Sequence, residues 1–186
     1  VAILAAQLVA EGRQPTVRSA ILAAMAALGA PPAAAPGEGL VRQHLQPMLM
    51  RALGAEGYSQ LHRHRGETID EVATLLATAP GVEEVVLAGR AAKGQLDGDV
   101  TAHLRVYTRT PIGELARCLV DAGCEEPRFS TAETRLGRRD RMVLEVEGVT
   151  IHVVRCLPQE RRSAGLDLFS GRRIAVQRWD VTQFRP

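Results

Sequence analysis

The sequence predicts an α/β (α+β) fold: a mixed β-sheet flanked by helices, preceded by a helical N-terminal region. Residues 1–65 form that helical region, and residues 66–186 form the sheet core with a C-terminal tail. Three observations carry the prediction. The first 35 residues hold 13 alanines and set their larger apolar residues at helical spacing. Residues 82–107 pass from a largely apolar run that reads as a buried strand, through a glycine-bearing loop, to alternation of apolar and polar residues. Glu147-Gly148 separates two runs rich in valine and isoleucine, as a two-residue hairpin turn does.

Val1, Leu4 and Leu8 share one face of a first helix, which Gly12 and Pro15 separate from a second. Val17, Ile21, Leu22, Met25 and Leu28 mark the second helix, with Gly29 as its stop. Residues 31–39 (PPAAAPGEG) read as a loop. Val41, Leu45, Met48, Leu49 and Leu53 define a third helix, which Pro47 should kink or restart. A fourth is expected to start near Thr68, where Thr68 and Glu71 have capping-box spacing and Ile69, Val72, Leu75 and Leu76 form the stripe. Pro80-Gly81 ends it.

Residues 82–88 then read as a buried strand and 89–98 as a loop. Val100, Ala102, Leu104 and Val106 alternate with Thr101, His103, Arg105 and Tyr107 along a second strand. Thr110-Pro111 opens a fifth helix with Ile112, Leu115, Leu119 and Val120 on its stripe, ended by Gly123. Residues 128–135 form a strand, and 141–147 and 149–156 a hairpin. With Glu147 and Gly148 as the turn, Val146 faces Val149, Leu144 faces Ile151 and Met142 faces Val153, an all-apolar face. Glu145, Thr150 and His152, with Val143 and Val154, take the other. The arginine-rich end, with Trp179 and Phe184, reads as a helical or irregular tail.

Composition excludes several function classes. The chain has 186 residues, 46% apolar and 24% charged, enough for a packed core. No run approaches the roughly 18 apolar residues of a membrane span. Three cysteines, Cys118, Cys124 and Cys156, lie in apolar segments and read as reduced, packed thiols of a cytoplasmic protein rather than a disulfide framework or zinc site. Aromatic residues are only 3%, too few for a base-stacking platform. The net charge of +2 combines 22 arginines with one lysine, Lys93. Arg138, Arg139, Arg141, Arg161, Arg162, Arg172 and Arg173 cluster late in the chain. With acids among them, they read as a solvated face before a nucleic-acid surface. The chain opens at Val1 rather than Met, so native sequence is expected before it, and no signal-peptide pattern is visible.

The chemistry concentrates in residues 86–104 (VLAGRAAKGQLDGDVTAHL). A glycine turn lets backbone N–H groups approach a phosphate, and Arg90 or Lys93 would add charge. Asp97 and Asp99 beyond it are a candidate pair of Mg2+ ligands against triphosphate oxygens. For each feature a structural role stands beside the functional one. Gly89, Gly94 and Gly98 are ordinary turn residues as well, Asp97-Gly98 is a common turn dipeptide, and His103 and His152 suit a half-buried strand face. His62 and His64, flanking Arg63, read as a solvated loop.

This segment resembles the nucleotidyltransferase superfamily related to DNA polymerase β. In that family a strand leads to a Gly-Ser turn, an acidic D-x-D pair opens the next strand, and a third carboxylate sits on a neighbouring strand. Gly89 matches the motif glycine and Asp99 the first aspartate. Arg90 stands where serine is usual, Thr101 where the second aspartate belongs, and His152 at the third acidic place. An alternative register pairs Asp97 with Asp99, with Glu145 as a substitute third acid. The helical N-terminus, this core, GVTIHVV and LDLFSGRRI together look like bacterial uncharacterised proteins with a predicted nucleotidyltransferase fold.

The resemblance implies a nucleoside triphosphate held with Mg2+ by Asp97 and Asp99 and contacted by Gly89, Arg90, Lys93 and Gly94. Glu145 or His152 would orient an acceptor for nucleotidyl transfer. The departures at Thr101 and His152 imply an alternative: a catalytically inactive descendant that binds a ligand or a protein. Its alanine-rich helices would then serve docking or self-association.

Overall fold

The structure is a computed structural model and describes residues 1–180. It resolves into two compact units, residues 1–64 with 96–99, and residues 65–95 with those from 100 onward.

The helical unit contains α1 (Ala2–Ala10), α2 (Val17–Leu28) and the first part of α3 (Glu38–Thr78). Thr16 caps α2 in a reciprocal box. Its hydroxyl accepts from the Ser19 N–H at 3.0 Å, and the Ser19 hydroxyl accepts from the Thr16 N–H at 3.3 Å. Gly29 ends α2 in the left-handed conformation. The core consists of Ala5, Ala6, Leu8, Val17, Ala20, Ile21, Ala24, Met25, Val41 and Leu45, so the alanines that favour helix also let the helices approach closely. The expected loop after α2 carries a short 3-10 turn, Pro32–Ala34.

Two expectations about α3 are corrected. Pro47 lies inside the helix, and the break falls at Gly54 (φ 71°, ψ 168°). Proline removes one N–H from the ladder, whereas glycine enters positive φ without a Cβ clash. The helix also does not restart at Thr68. That residue is buried mid-helix, and its hydroxyl donates to Glu147 Oε2 at 2.9 Å. Capping-box spacing recurs inside helices, and here a tertiary bond took the hydroxyl.

The second unit is built on six strands: β1 (Val82–Ala88), β2 (Val100–Thr108), β3 (Arg128–Thr134), β4 (Gly137–Val146), β5 (Val149–Cys156) and β6 (Val176–Asp180). Their order is β3-β4-β5-β2-β1-β6. β2 and β5 run parallel and all other neighbours antiparallel, so the sheet is mixed as expected. The β4–β5 register pairs Val146 with Val149, Leu144 with Ile151 and Met142 with Val153, as read from the sequence. Glu147 (φ 48°) and Gly148 (φ 76°) both adopt the positive φ that a type I′ turn requires.

One sheet face is apolar: Val85, Leu87, Ala102, Leu104, Val106, Met142, Leu144, Ile151 and Val153 are all buried. Helix α4 (Ile112–Asp121) contacts β4, and residues 65–78 of α3 bury Ile69, Val72, Ala73, Leu76 and Ala77. Asp70 of that stretch accepts the Trp179 indole N–H at 2.9 Å. The C-terminal stretch is therefore corrected from tail to strand. β6 pairs with β1, and Trp179 lies opposite Val85. Residues 176–180 (VQRWD) carry no apolar alternation, so the strand left no period-two signal in the sequence; Phe184 lies outside the described residues. Among the described residues no helix is long and apolar enough to cross a membrane.

Candidate functional site

The second face of the sheet carries Arg105, His103 and Thr101 on β2, Val154, His152 and Thr150 on β5, and Arg141, Val143 and Glu145 on β4, in register rows. One end of this face is covered. Val86, Tyr107, Val154 and Cys156 pack with Ala164 and Leu168 of the connection before β6. Arg105 secures that cover. The residue is almost fully buried, and its Nη1 donates to the carbonyls of Ala164 (2.9 Å) and Leu166 (2.7 Å). Such charge-assisted bonds to backbone are the means by which a buried guanidinium is tolerated.

Where the cover ends, a cavity of about 330 Å3 opens. His103, His152, Arg105 and Arg141 line it from the strands, Gly89 from the end of β1, and Asp167, Leu168 and Phe169 from the covering loop. His103 and His152 are direct register partners, their rings edge to face with centroids 5.2 Å apart. Burial pushes the His103 imidazole down from its ordinary value to about 4, helped by His152, Arg105 and Arg141 and opposed by Asp167. By accessible surface the residue is exposed, so the lowering reflects protein atoms crowded around the ring rather than enclosure. His152 is lowered as well, by burial first and then by Arg141 and Arg128. Both rings are neutral at pH 7, each with one N–H donor and one acceptor nitrogen. Asp167 is held below its usual range, first by the Ser170 backbone N–H; Oδ1 accepts from that group at 2.7 Å and from the Phe169 N–H at 3.2 Å. Those bonds shape the loop that presents the exposed Phe169 ring.

Asp97 and Asp99 are placed in the helical unit. Asp97 Oδ1 accepts the Tyr58 hydroxyl at 2.6 Å and lies 3.0 Å from His62 Nε2. Asp99 Oδ1 lies 3.0 Å from Arg42 Nη2 and accepts the Val17 N–H at 3.4 Å. Arg42 Nη1 also donates to the Asp97 carbonyl at 2.9 Å. His62 is thus helical and bonded, not part of a solvated loop. Gly98 between the acids has φ +71°, and a Cβ there would stand 2.9 Å from Leu45 Cδ2.

The remaining expected residues do not converge on one point. Glu145 bonds the Thr150 hydroxyl at 2.9 Å on the open part of the face, apart from the cavity lining. Lys93 is exposed on the 3-10 turn Ala91–Lys93. Backbone N–H groups that would cradle a phosphate are spent inside the fold: Gly89 donates to Ala175, Lys93 and Gln95 to Arg90, and Gly94 to Ala91. Arg90, Lys93 and Gly94 lie outside the cavity lining, and Gly89 and His152 are the two expected residues within it. Among the described residues, no group of three or more His, Cys, Asp and Glu side chains could hold a metal ion.

Comparison with family models, curated proteins and solved structures gives no match.

Sequence reasoning missed four contributors to the cavity. Arg105 sat in an alternating strand and looked exposed. Asp167 and Phe169 lay in a loop with no motif. Arg141 was grouped with a surface cluster. The legible signal was the phase of His103 and His152, which put both on one polar face.

Proposed function

We propose that this chain uses a nucleotidyltransferase-like fold to bind a small anionic ligand, a nucleotide being the first candidate, without transferring it. The cavity at the His103–His152 pair carries this reading. Its volume suits part of a small ligand. Arg141 supplies positive charge, two neutral imidazoles supply hydrogen bonds, and Leu168, Phe169 and Ile174 supply an apolar wall on which a flat ring can rest.

The alternative, Mg2+-dependent nucleotidyl transfer through Asp97 and Asp99, asks for carboxylates open to a cation. Here each carboxylate already meets donors from the helical unit: Tyr58 and His62 for one, Arg42 and the Val17 N–H for the other. A metal ion would have to displace those partners, so the donor set does not fit Mg2+ as it stands.

Calorimetric titration with ATP, with and without Mg2+, tests the reading. Binding without Mg2+ is expected, weakened at least about tenfold by Arg141→Ala and unchanged by Asp99→Asn. Binding that requires Mg2+ and disappears in Asp99→Asn, or transfer of a radiolabelled nucleotidyl group to an acceptor, would restore the transferase reading. Absence of binding to any nucleotide would remove the nucleotide from the proposal.

A further inference from the structure

A second hollow, of about 450 Å3, lies on the same unit and is lined by Pro158, Gln159, Arg161, Arg162 and Arg178. Among the described residues its charged lining is cationic. The acids that hold these arginines are outside the lining. Glu84 is nearly buried on β1, with Oε1 paired to Arg178 Nη1 and Oε2 3.3 Å from Arg161 Nε. Glu83 Oε2 lies 3.2 Å from Arg161 Nη1. Arg161 hydrogen-bonds Glu83, and Arg178 hydrogen-bonds Glu84, each through Nη1, while the Arg161 Nε–Glu84 contact is an ion pair without a hydrogen bond, so each guanidinium keeps further N–H donors. Among the described residues Arg162 has no ion pair, so the three arginines exceed the two glutamates by one charge.

We propose that this hollow is a binding site for a small polyphosphate anion, separate from the His103–His152 cavity. The chemistry favours a polyanion with several oxygens. Planar guanidinium groups fixed at separate points present paired N–H donors that match phosphate oxygens, and a multivalent anion can bridge them where a monovalent ion cannot. Because Glu83 already holds Arg161 and Glu84 holds Arg178, less side-chain freedom is lost on binding. The site does not depend on the nucleotide reading, since none of its residues lines the other cavity.

Inorganic pyrophosphate is the probe, titrated calorimetrically into the full chain at low and moderate salt. Arg162→Ala should weaken binding at least about fivefold by removing a cation that meets no acid among the described residues. Glu83→Gln should tighten it about threefold by releasing Arg161 Nη1 and deleting a negative charge. Arg141→Ala should leave this binding unchanged, which separates it from the imidazole cavity. A surface ion-pair network with no ligand role would give no pyrophosphate binding, or binding unmoved by Arg162→Ala and Glu83→Gln. Either result would overturn the proposal.

Discussion

Replacing Arg105 with methionine tests how the cavity wall is held. The side chain is almost fully buried, and one terminal nitrogen donates to two carbonyls, Ala164 at 2.9 Å and Leu166 at 2.7 Å. Charge-assisted bonds of this kind contribute about 1.5–3 kcal/mol each. Part of that is offset, because methionine fills the aliphatic volume and no longer buries a charge. A net loss of about 2 kcal/mol is expected, a fall of roughly 4–8 °C in Tm for a chain of this size. The loss should be local. The Asp167, Gly171 and Ile174 amides, bonded to Arg172, Asp167 and Gly165 within the covering segment, should exchange faster by hydrogen-exchange NMR. Ligand affinity at the cavity should fall with them. Unchanged protection at these amides together with an unchanged Tm would refute the idea that Arg105 holds the wall.

Gly98→Ala should cost about 2 kcal/mol by chemical denaturation, because it combines positive φ with a Cβ 2.9 Å from Leu45; Gly148→Ala, at φ +76° with nothing within 4 Å, should cost only about 1 kcal/mol. Asp97→Asn should lower stability by about 1 kcal/mol while leaving ligand titration curves unchanged, since its partners are Tyr58 and His62. Folding stability should fall as pH drops from about 6.5 toward about 4, because the unfolded chain takes up a proton at His103 that the folded chain refuses; His103→Gln should flatten that slope. An anion in the cavity would raise the same pKa, so binding should take up protons and tighten as pH falls from 7.5 to 5.5. Calorimetry in buffers of different ionisation enthalpy measures that uptake directly.

Local pattern made most of the fold legible. The turn Glu147-Gly148 and the alternation on either side fixed a register that the sheet reproduces residue for residue. The apolar spacing from Val17 to Leu28 and the stop at Gly29 did the same for α2, whose Thr16 cap went unread. Errors arose where a tertiary partner competed with a local signal. Thr68 has capping-box spacing but bonds Glu147, and Pro47 is a breaker by type while Gly54 is the break in fact. The candidate site was less legible for a related reason. Asp97 and Asp99 have the residue types of a metal pair, yet what a carboxylate can do depends on which donors surround it. Tyr58, His62, Arg42 and the Val17 N–H come from distant segments. Arg105 likewise carried no sequence mark of burial, because the carbonyls that accept from it lie about 60 residues along the chain.

The most direct test of the central claim is to record where a nucleotide perturbs the protein. Two-dimensional NMR with ATP in the absence of Mg2+ should shift the His103 and His152 ring signals and the Gly89 and Phe169 amides, and leave Gly98 and Asp99 in place. Shifts that centre on Gly94, Gly98 and Asp99, arise only when Mg2+ is added, and spare both histidine rings would contradict it.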